Sequence, residues 1–351
     1  MKRLFLPLLT LAALTLACSL PGQGVPTPTA PPPAATPRAY MPLPTQRRPP
    51  TLAAVPTYTS TPTLIVPTAF PTQAIQEEAP HEELPDTPLP NSLMNVTYCT
   101  MNGVELKMDA FFPEDTGRPA PALIYIHGGG WSAGGRHDTE AAARTPALLQ
   151  AGFAVFSIDY RLAPEHLFPA MIQDAKCAVR SIRAHAEQYH IDPEHIGVWG
   201  ASAGGHLAAL LGTSDLNAGF DVGEYPAYSS RVQAVIDLYG PADLTQPMLT
   251  PEQKYLLTTA FPPDLYEVGS PVTHVTADDP PFLILHGIHD GLVPLEQSAE
   301  LYSRLSEAGV SAQLVVVLNA GHGFEPEGGR PDPSEEDITQ MMVEFFSGTL
   351  K

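Results

Sequence analysis

The sequence predicts an α/β fold built on a mostly parallel β-sheet with helices on both faces. Short, almost wholly apolar runs of strand length recur through residues 91–351, and segments with helical periodicity separate most of them. Parallel strands need long crossover connections, which such helical segments supply. Four of the apolar runs lead into loops rich in glycine, serine, aspartate or histidine, as functional loops do at the carboxyl edge of a parallel sheet.

The elements follow in chain order. Two alternating runs, 95–100 and 104–112, predict a hairpin that turns at Met101-Asn102-Gly103. Further strands are predicted at 122–126, 153–158, 196–199, 232–239, 282–285 and 314–318, and helices at 140–150, 170–189, after Ser202, 295–308 and 335–346. Residues 241–280 break the alternation with many prolines and an apolar group near Leu256, and we expect them to form a small cap.

The first residues predict export from the cytoplasm. Lys2 and Arg3 precede an apolar run, 4–17, which is too short to span a bilayer and has the length of a secretory signal. The run ends in Leu-Ala-Cys-Ser, which resembles the lipobox of bacterial lipoproteins. We therefore predict a lipoprotein-type signal peptide at 1–17, lipidation of Cys18 and anchoring at the membrane surface. Ordinary cleavage after Ala17, giving a secreted protein, is the alternative.

A long proline-rich segment follows the signal. Of the 40 prolines in the chain, 19 lie between Pro21 and Pro90, among many threonines and alanines. Such a composition cannot bury enough apolar surface to offset the entropy lost on ordering. We predict a disordered Pro/Thr-rich stalk over 18–90 that tethers a catalytic domain at 91–351.

The net charge of −20 lies entirely in residues 91–351, because residues 1–90 carry equal numbers of acidic and basic side chains. An acidic domain of this kind repels nucleic acid, so nucleic-acid partners are not expected. The charge otherwise indicates a solvated surface.

Three cysteines do not form a disulfide framework. With Cys18 assigned to lipidation, Cys99 and Cys177 remain. We expect them to be two small buried side chains rather than a disulfide, although an oxidising compartment would allow them to pair.

Residues 196–211, IGVWGASAGGHLAALL, place a Gly-x-Ser-x-Gly turn between a short strand and a helix. A serine at such a turn takes a strained backbone conformation that lifts its hydroxyl clear of the sheet, and small neighbours let strand and helix approach closely. The start of the helix favours developing negative charge. Ser202 is therefore the predicted nucleophile.

Two later strand ends supply partners for that serine. A hydroxyl becomes a good nucleophile only when a base removes its proton, and a carboxylate fixes the tautomer of the base. Asp290 follows one strand and His322 follows the next. The order serine, aspartate, histidine is the one used in the α/β-hydrolase fold, so we predict a triad of Ser202, Asp290 and His322.

Other polar residues compete for these roles. Asp237, within a strand, and Asp243, just after it, are the rival acids. His206 is expected to pack rather than catalyse, and His286 to lie inside a strand end. The histidines show no metal-ligand spacing, and neither a metal nor a cofactor is expected.

A glycine-rich loop follows the strand at 122–126 and reads HGGGW from His127 to Trp131. Consecutive glycines after a buried strand expose bare backbone N–H groups that a ligand can approach. Loops of this kind donate hydrogen bonds to an oxyanion.

Six motifs together resemble the esterase/lipase group of α/β-hydrolases. They are HGGGW at 127, DYRLAPEH at 159, GASAGGHLAALLG at 200, SPVTHV at 270, PPFLILHGIHDGLVP at 280 and AGHGF at 320. The chain looks most similar to hormone-sensitive-lipase-like carboxylesterases and to bacterial acetyl-xylan and feruloyl esterase domains. Ala201, where the lipase-like group often has aspartate, and the lack of room for an N-terminal helical cap favour the small-cap esterase domains.

The resemblance implies both a function and site residues. Ser202, Asp290 and His322 would be nucleophile, acid and base, and Gly129, Gly130 and Ala203 would supply the oxyanion N–H groups. The expected function is hydrolysis of short-acyl, small-molecule or polysaccharide-linked esters by a serine carboxylesterase. The alternatives are a peptidase similar to prolyl oligopeptidase, an amidase similar to kynurenine formamidase, and a non-catalytic surface-binding module. The oligomeric state stays open.

Overall fold

The computed structural model describes residues 91–247 and 250–351. The predicted signal peptide, Cys18 and the stalk lie outside the described residues. Eight strands form one sheet: β1 (Ser92–Met101), β2 (Val104–Phe111), β3 (Ala120–Ile126), β4 (Ala154–Ile158), β5 (Ile191–Ala201), β6 (Ala234–Leu238), β7 (Phe282–Gly287) and β8 (Ala312–Val317).

The sheet has the order β1-β2-β4-β3-β5-β6-β7-β8. β2 runs antiparallel to both β1 and β4, and every other neighbouring pair from β4 to β8 is parallel. The central strands β4 and β6 are buried along their whole length, which explains their almost wholly apolar sequences. The prediction of a mostly parallel sheet is confirmed.

Seven α-helices connect and cover the strands in the described part of the chain. They are α1 (Thr139–Gln150), α2 (Ala170–Ala184), α3 (Ala186–Tyr189), α4 (Ala203–Thr213), α5 (Pro251–Ala260), α6 (Leu295–Glu307) and α7 (Glu335–Leu350). Side chains of α1 and α7 pack in one apolar core, and those of α2, α4 and α6 pack in a second core with the other sheet face. The predicted helices on both faces are therefore confirmed. None of these helices, in the residues described, is long and apolar enough to cross a bilayer.

Several element boundaries differ from the predictions. The strand predicted at 196–199 extends over 191–201, because its ends also pair with the neighbouring strands β3 and β6. The helix predicted at 170–189 breaks at His185, whose φ of −104° and ψ of 21° are not helical. Between β6 and β7, the described cap residues form α5 and two short 3₁₀ turns.

The expectation that Cys99 and Cys177 are unpaired is wrong. They form a disulfide with a Cα–Cα distance of 6.4 Å, inside the range that such bonds require. Cys99 lies on β1 and Cys177 on α2, and the packing of this helix on the sheet brings together residues separated by 78 positions. Spacing along the sequence carries no sign of that contact.

Candidate active site

The loops that carry the predicted site residues leave one edge of the sheet. Ile126, the last residue of β3, lies opposite Gly200 of β5. Leu238, the last residue of β6, lies opposite Ala201 on one side and Leu285 of β7 on the other. The glycine loop, Ser202, Asp290 and His322 therefore all follow strands that end at this edge.

Ser202 lies at a strained turn between β5 and α4. Its φ of 55° and ψ of −118° are unusual for a residue with a side chain. The flanking glycines allow the close approach of the chain at this turn. A Cβ at Gly204 would overlap the carbonyl oxygen of Ile126, and one at Gly200 would overlap that of Gly204. The N–H of Ser202 donates to the carbonyl of Leu238 at 2.9 Å, which fixes the turn to β6.

His322 lies in the loop after β8 and connects the other two predicted residues. Its Nε2 is 2.9 Å from the hydroxyl oxygen of Ser202, and its Nδ1 is 2.7 Å from Oδ2 of Asp290. Because a carboxylate only accepts, Nδ1 carries the proton and Nε2 is free to accept the serine proton. The ring of Tyr239 meets the imidazole edge to face, with centroids 4.9 Å apart.

Asp290 is surrounded by donors. Its Oδ1 accepts the backbone N–H groups of Leu292 at 2.9 Å and Val293 at 2.8 Å. Burial alone would raise the pKa of Asp290, but hydrogen bonds from His286 and His322 outweigh it and hold the pKa well below its usual range. The side chain is therefore a carboxylate at any pH near neutrality.

The glycine loop has a left-handed backbone over three consecutive residues, with φ of 104° at Gly129, 58° at Gly130 and 58° at Trp131. The N–H groups of Ser132 and Ala133 both donate to the carbonyl of Gly129 and close the turn. No acceptor within residues 91–247 and 250–351 takes the N–H groups of Gly129, Gly130 or Ala203. These three N–H groups are thus free to donate to a ligand.

A pocket of about 310 Å³ lies beside Ser202. Its apolar wall comes from the glycine loop, α5 and the segment after Asp290, and includes Trp131, Leu256, Leu257, Leu292 and Val293. Its polar wall includes Asp243, Gln246, Gln253, Glu296 and Gln297. An apolar pocket with a few polar groups is the usual form of a small-molecule site.

The competing residues take other places. In the described chain His322 hydrogen bonds to Asp290 and not to either rival acid. Asp237 is fully buried in β6, whereas Asp243 lines the pocket. His206 is buried in α4 and His286 in β7, as predicted. No group of three or more potential metal ligands occurs in the described residues.

Sequence reasoning missed two features of this site. The first is the contact between His286 and Asp290. Asp290 follows His286, near the end of β7, by four residues, and this spacing is only a weak signal for a contact. The pocket residues Gln253 and Gln297 were also missed. They lie on α5 and α6, more than forty residues apart, and nothing in the local sequence connects them.

The strand order and the arrangement of serine, histidine and aspartate at the carboxyl edge define a protein of the α/β-hydrolase fold. Within that fold, the chain belongs to the BD-FAE family, whose model matches residues 108–305. The matched region includes the glycine loop, Ser202 and Asp290.

Individual relatives carry esterase names. Esterase LipC of Mycobacterium tuberculosis is 34% identical over 237 residues, which is 64% of this chain and 58% of LipC. The chain thus spans little more than half the length of that relative. A truncated carbohydrate esterase from gut microbiota matches with a TM-score of 0.61 and 32% identity, covering 74% of this chain and 95% of that structure. A butyrate-bound esterase of Thermogutta terrifontis matches with a TM-score of 0.63 and 27% identity, over 74% and 94%.

Proposed function

We propose that this protein is a serine carboxylesterase that hydrolyses short-acyl esters through Ser202, His322 and Asp290. The observation that carries the proposal is the pair of contacts at His322, 2.9 Å to the serine oxygen and 2.7 Å to the aspartate oxygen, beside a largely apolar pocket. The esterase names of the relatives and of the matching structures support the same reaction class.

In this mechanism the reaction is a two-step acyl transfer. Ser202 attacks the ester carbonyl while Nε2 of His322 takes its proton, and Asp290 stabilises the imidazolium that forms. The same proton then goes to the leaving alcohol. Water hydrolyses the acyl-enzyme in the second step, with His322 again acting as the base.

The N–H groups of Gly129, Gly130 and Ala203 are the proposed oxyanion donors. The negative charge that develops on the carbonyl oxygen needs donors in a site that excludes water, and one such donor is worth about 3 kcal/mol of transition-state stabilisation. Gly130 and Ala203 line the same pocket as Ser202, and none of the three N–H groups has an acceptor in the described protein. The backbone, not a side chain, would thus supply this part of catalysis.

The proposed substrates are esters with short acyl groups, on small alcohols or on polysaccharides. A pocket of about 310 Å³ accommodates a short acyl chain. The butyrate bound to the Thermogutta esterase and the name of the gut carbohydrate esterase support this choice.

The test combines turnover with active-site labelling of the full-length protein. Wild type should hydrolyse para-nitrophenyl acetate, and a fluorophosphonate should label Ser202 and abolish that activity. Ser202→Ala should lose both labelling and turnover, while Ser214→Ala serves as a control for a buried serine outside the site. Labelling of another serine, or turnover that survives Ser202→Ala, would refute the assignment. Faster cleavage of a matched anilide than of the ester would favour the amidase or peptidase alternative.

We also propose that the protein works outside the cytoplasm, anchored through lipidated Cys18. The disulfide between Cys99 and Cys177 supports an oxidising compartment. The full-length protein should partition into detergent, and Cys18→Ser should release it or block its maturation. Unchanged membrane fractionation of that variant would argue against the lipid anchor.

A further inference from the structure

Trp131 ends the left-handed run of the glycine loop, and its side chain is buried against the rest of the protein. Its φ is 58° and its side chain is almost fully buried. A residue with a Cβ disfavours this backbone conformation, so contacts elsewhere have to maintain it. Trp131 directly follows Gly130, one of the proposed oxyanion donors. A movement of Trp131 would therefore be passed directly to the backbone of Gly130.

The indole is held by a histidine on the helix that follows Ser202. Nε1 of Trp131 donates to Nδ1 of His206 at 3.2 Å, and both groups are buried. Nε2 of His206 donates to the carbonyl of Gly269 at 2.7 Å. The rings of Trp131 and His206 also meet edge to face, with centroids 5.3 Å apart.

These contacts determine the tautomer of the histidine. An indole N–H can only donate, so Nδ1 of His206 accepts, and the proton of the neutral ring lies on Nε2 facing Gly269. Burial lowers the pKa of His206 to about 4, although the hydrogen bond to Gly269 opposes this. The ring is therefore neutral near pH 7, and the acceptor at Nδ1 is permanent.

The same histidine connects three parts of the site. The backbone N–H of His206 donates to the carbonyl of Ser202 at 3.0 Å in the first turn of α4. Its hydrogen bond to Gly269 connects it to the cap. Phe261 of the cap also packs edge to face on Trp131, with ring centroids 4.9 Å apart. His206 thus lies between the nucleophile turn, the glycine loop and the cap.

We propose that His206 is a positioning residue for the oxyanion loop: by accepting the indole N–H, it fixes Trp131 and so the N–H groups of Gly129 and Gly130 relative to Ser202. The proposal rests on the proposed esterase function, because the loop has this role only if an oxyanion forms there. His206 touches neither the substrate carbonyl nor the triad imidazole in this assignment.

Two substitutions separate the two hydrogen bonds of His206. In His206→Asn the amide oxygen takes the place of Nδ1 and keeps an acceptor for Trp131, whereas in His206→Gln the amide nitrogen takes the place of Nε2 and keeps the donor to Gly269. We expect His206→Gln to lower kcat about tenfold with KM within twofold, and His206→Asn to stay within about threefold of wild type. Trp131→Phe, which keeps an aromatic ring but removes the N–H, should resemble His206→Gln.

The double variant Trp131→Phe with His206→Gln tests whether the two residues act through one bond. Its kcat should be no lower than that of the weaker single variant, because the same hydrogen bond is lost in each. A trifluoromethyl ketone, which forms an oxyanion on the enzyme, should bind about tenfold more weakly to His206→Gln, while KM for the ester barely changes. Multiplicative losses in the double variant, or equal losses in His206→Asn and His206→Gln, would overturn the proposal.

A spectroscopic measurement separates this proposal from the esterase assignment. The chain has two tryptophans, so a protein with ¹⁵N-labelled indoles gives two indole N–H signals, and Trp131→Phe identifies one of them. That signal should move in His206→Gln and stay nearly in place in His206→Asn, whether or not the protein hydrolyses esters. An unmoved signal in His206→Gln means that the bond itself is wrong, whereas a moved signal without Ser202-dependent turnover means that the esterase function is wrong.

Discussion

Nε2 of His286 lies 3.3 Å from Oδ2 of Asp290, the same oxygen that accepts the hydrogen bond of His322. The His286 ring is completely buried, and its Nε2 also donates to the carbonyl of Val293 at 2.7 Å. Because a carbonyl only accepts, Nε2 carries the proton, and Nδ1 is left to accept from the hydroxyl of Ser298 at 2.7 Å. A second imidazole N–H therefore approaches the same carboxylate and helps to keep it ionised.

This arrangement predicts that Asp290→Asn lowers kcat by about three to four orders of magnitude, because an amide no longer holds the tautomer of His322 that accepts the serine proton. Initial rates with para-nitrophenyl acetate measure the loss, and circular dichroism checks that the variant is folded. Asp243→Asn is the matched control, since Asp243 lines the same pocket without contacting His322. If Asp243→Asn showed a loss of this size while Asp290→Asn stayed nearly active, Asp243 and not Asp290 would be the acid.

Asp237 predicts a pH dependence of stability. It is fully buried in β6, its Oδ1 accepts the N–H of Gly240 at 2.9 Å, and its Oδ2 has no partner among the described residues. Burial raises the pKa of Asp237 to about 6, against smaller lowering effects of Gly240 and His286. The folded state thus binds this proton more tightly than the unfolded chain. Protonation of Asp237 therefore stabilises the folded state below about pH 4, and this stabilisation is lost as the pH rises to about 6.

Asp237→Asn should remove this loss, which corresponds to about 3 kcal/mol for a shift of two pKa units. The free energy of unfolding of the variant, minus that of wild type, should therefore be larger at pH 8 than at pH 4. Urea denaturation at several pH values measures the difference, with Asp115→Asn, an exposed aspartate, as the control for lost charge. The same stability difference at both pH values would show that Asp237 does not titrate in this way.

The glycine loop predicts that two glycine substitutions have different effects. Both Gly129 and Gly117 have a positive φ, so alanine at either position costs about 1 kcal/mol of backbone strain. A Cβ at Gly129 would also overlap the carbonyl oxygen of Ala133, whereas nothing lies within 4 Å of a Cβ at Gly117. We expect Gly129→Ala to lower kcat about 100-fold and Gly117→Ala to leave it within twofold. Similar kcat values for the two variants would show that Gly129 is not part of the oxyanion site.

The sequence predicted the parts of this site that depend on local chain geometry. The turn at Ser202 and the position of His322 after a strand follow from short motifs, because the end of a parallel strand fixes where the next residues lie. The disulfide between Cys99 and Cys177 and the contact between Trp131 and His206 depend on how a helix packs on the sheet or on a distant loop. Such contacts join positions that are far apart in the chain, so the local sequence pattern does not predict them.

The pocket beside Ser202 predicts a preference for short acyl groups. Each further methylene contributes about 0.8 kcal/mol, or roughly fourfold in kcat/KM, only while an apolar wall remains to receive it. Within about 310 Å³ that wall ends early, and Leu256 of α5 closes it against the glycine loop at Gly130. In a para-nitrophenyl ester series from C2 to C16, kcat/KM should peak between acetyl and butyryl. Leu256→Ala should move the peak to longer chains, whereas Leu216→Ala, at a residue that is 76% exposed and outside the pocket lining, should not. A wild-type maximum at C10 or beyond would show that the site holds a long acyl chain and would refute the short-acyl assignment.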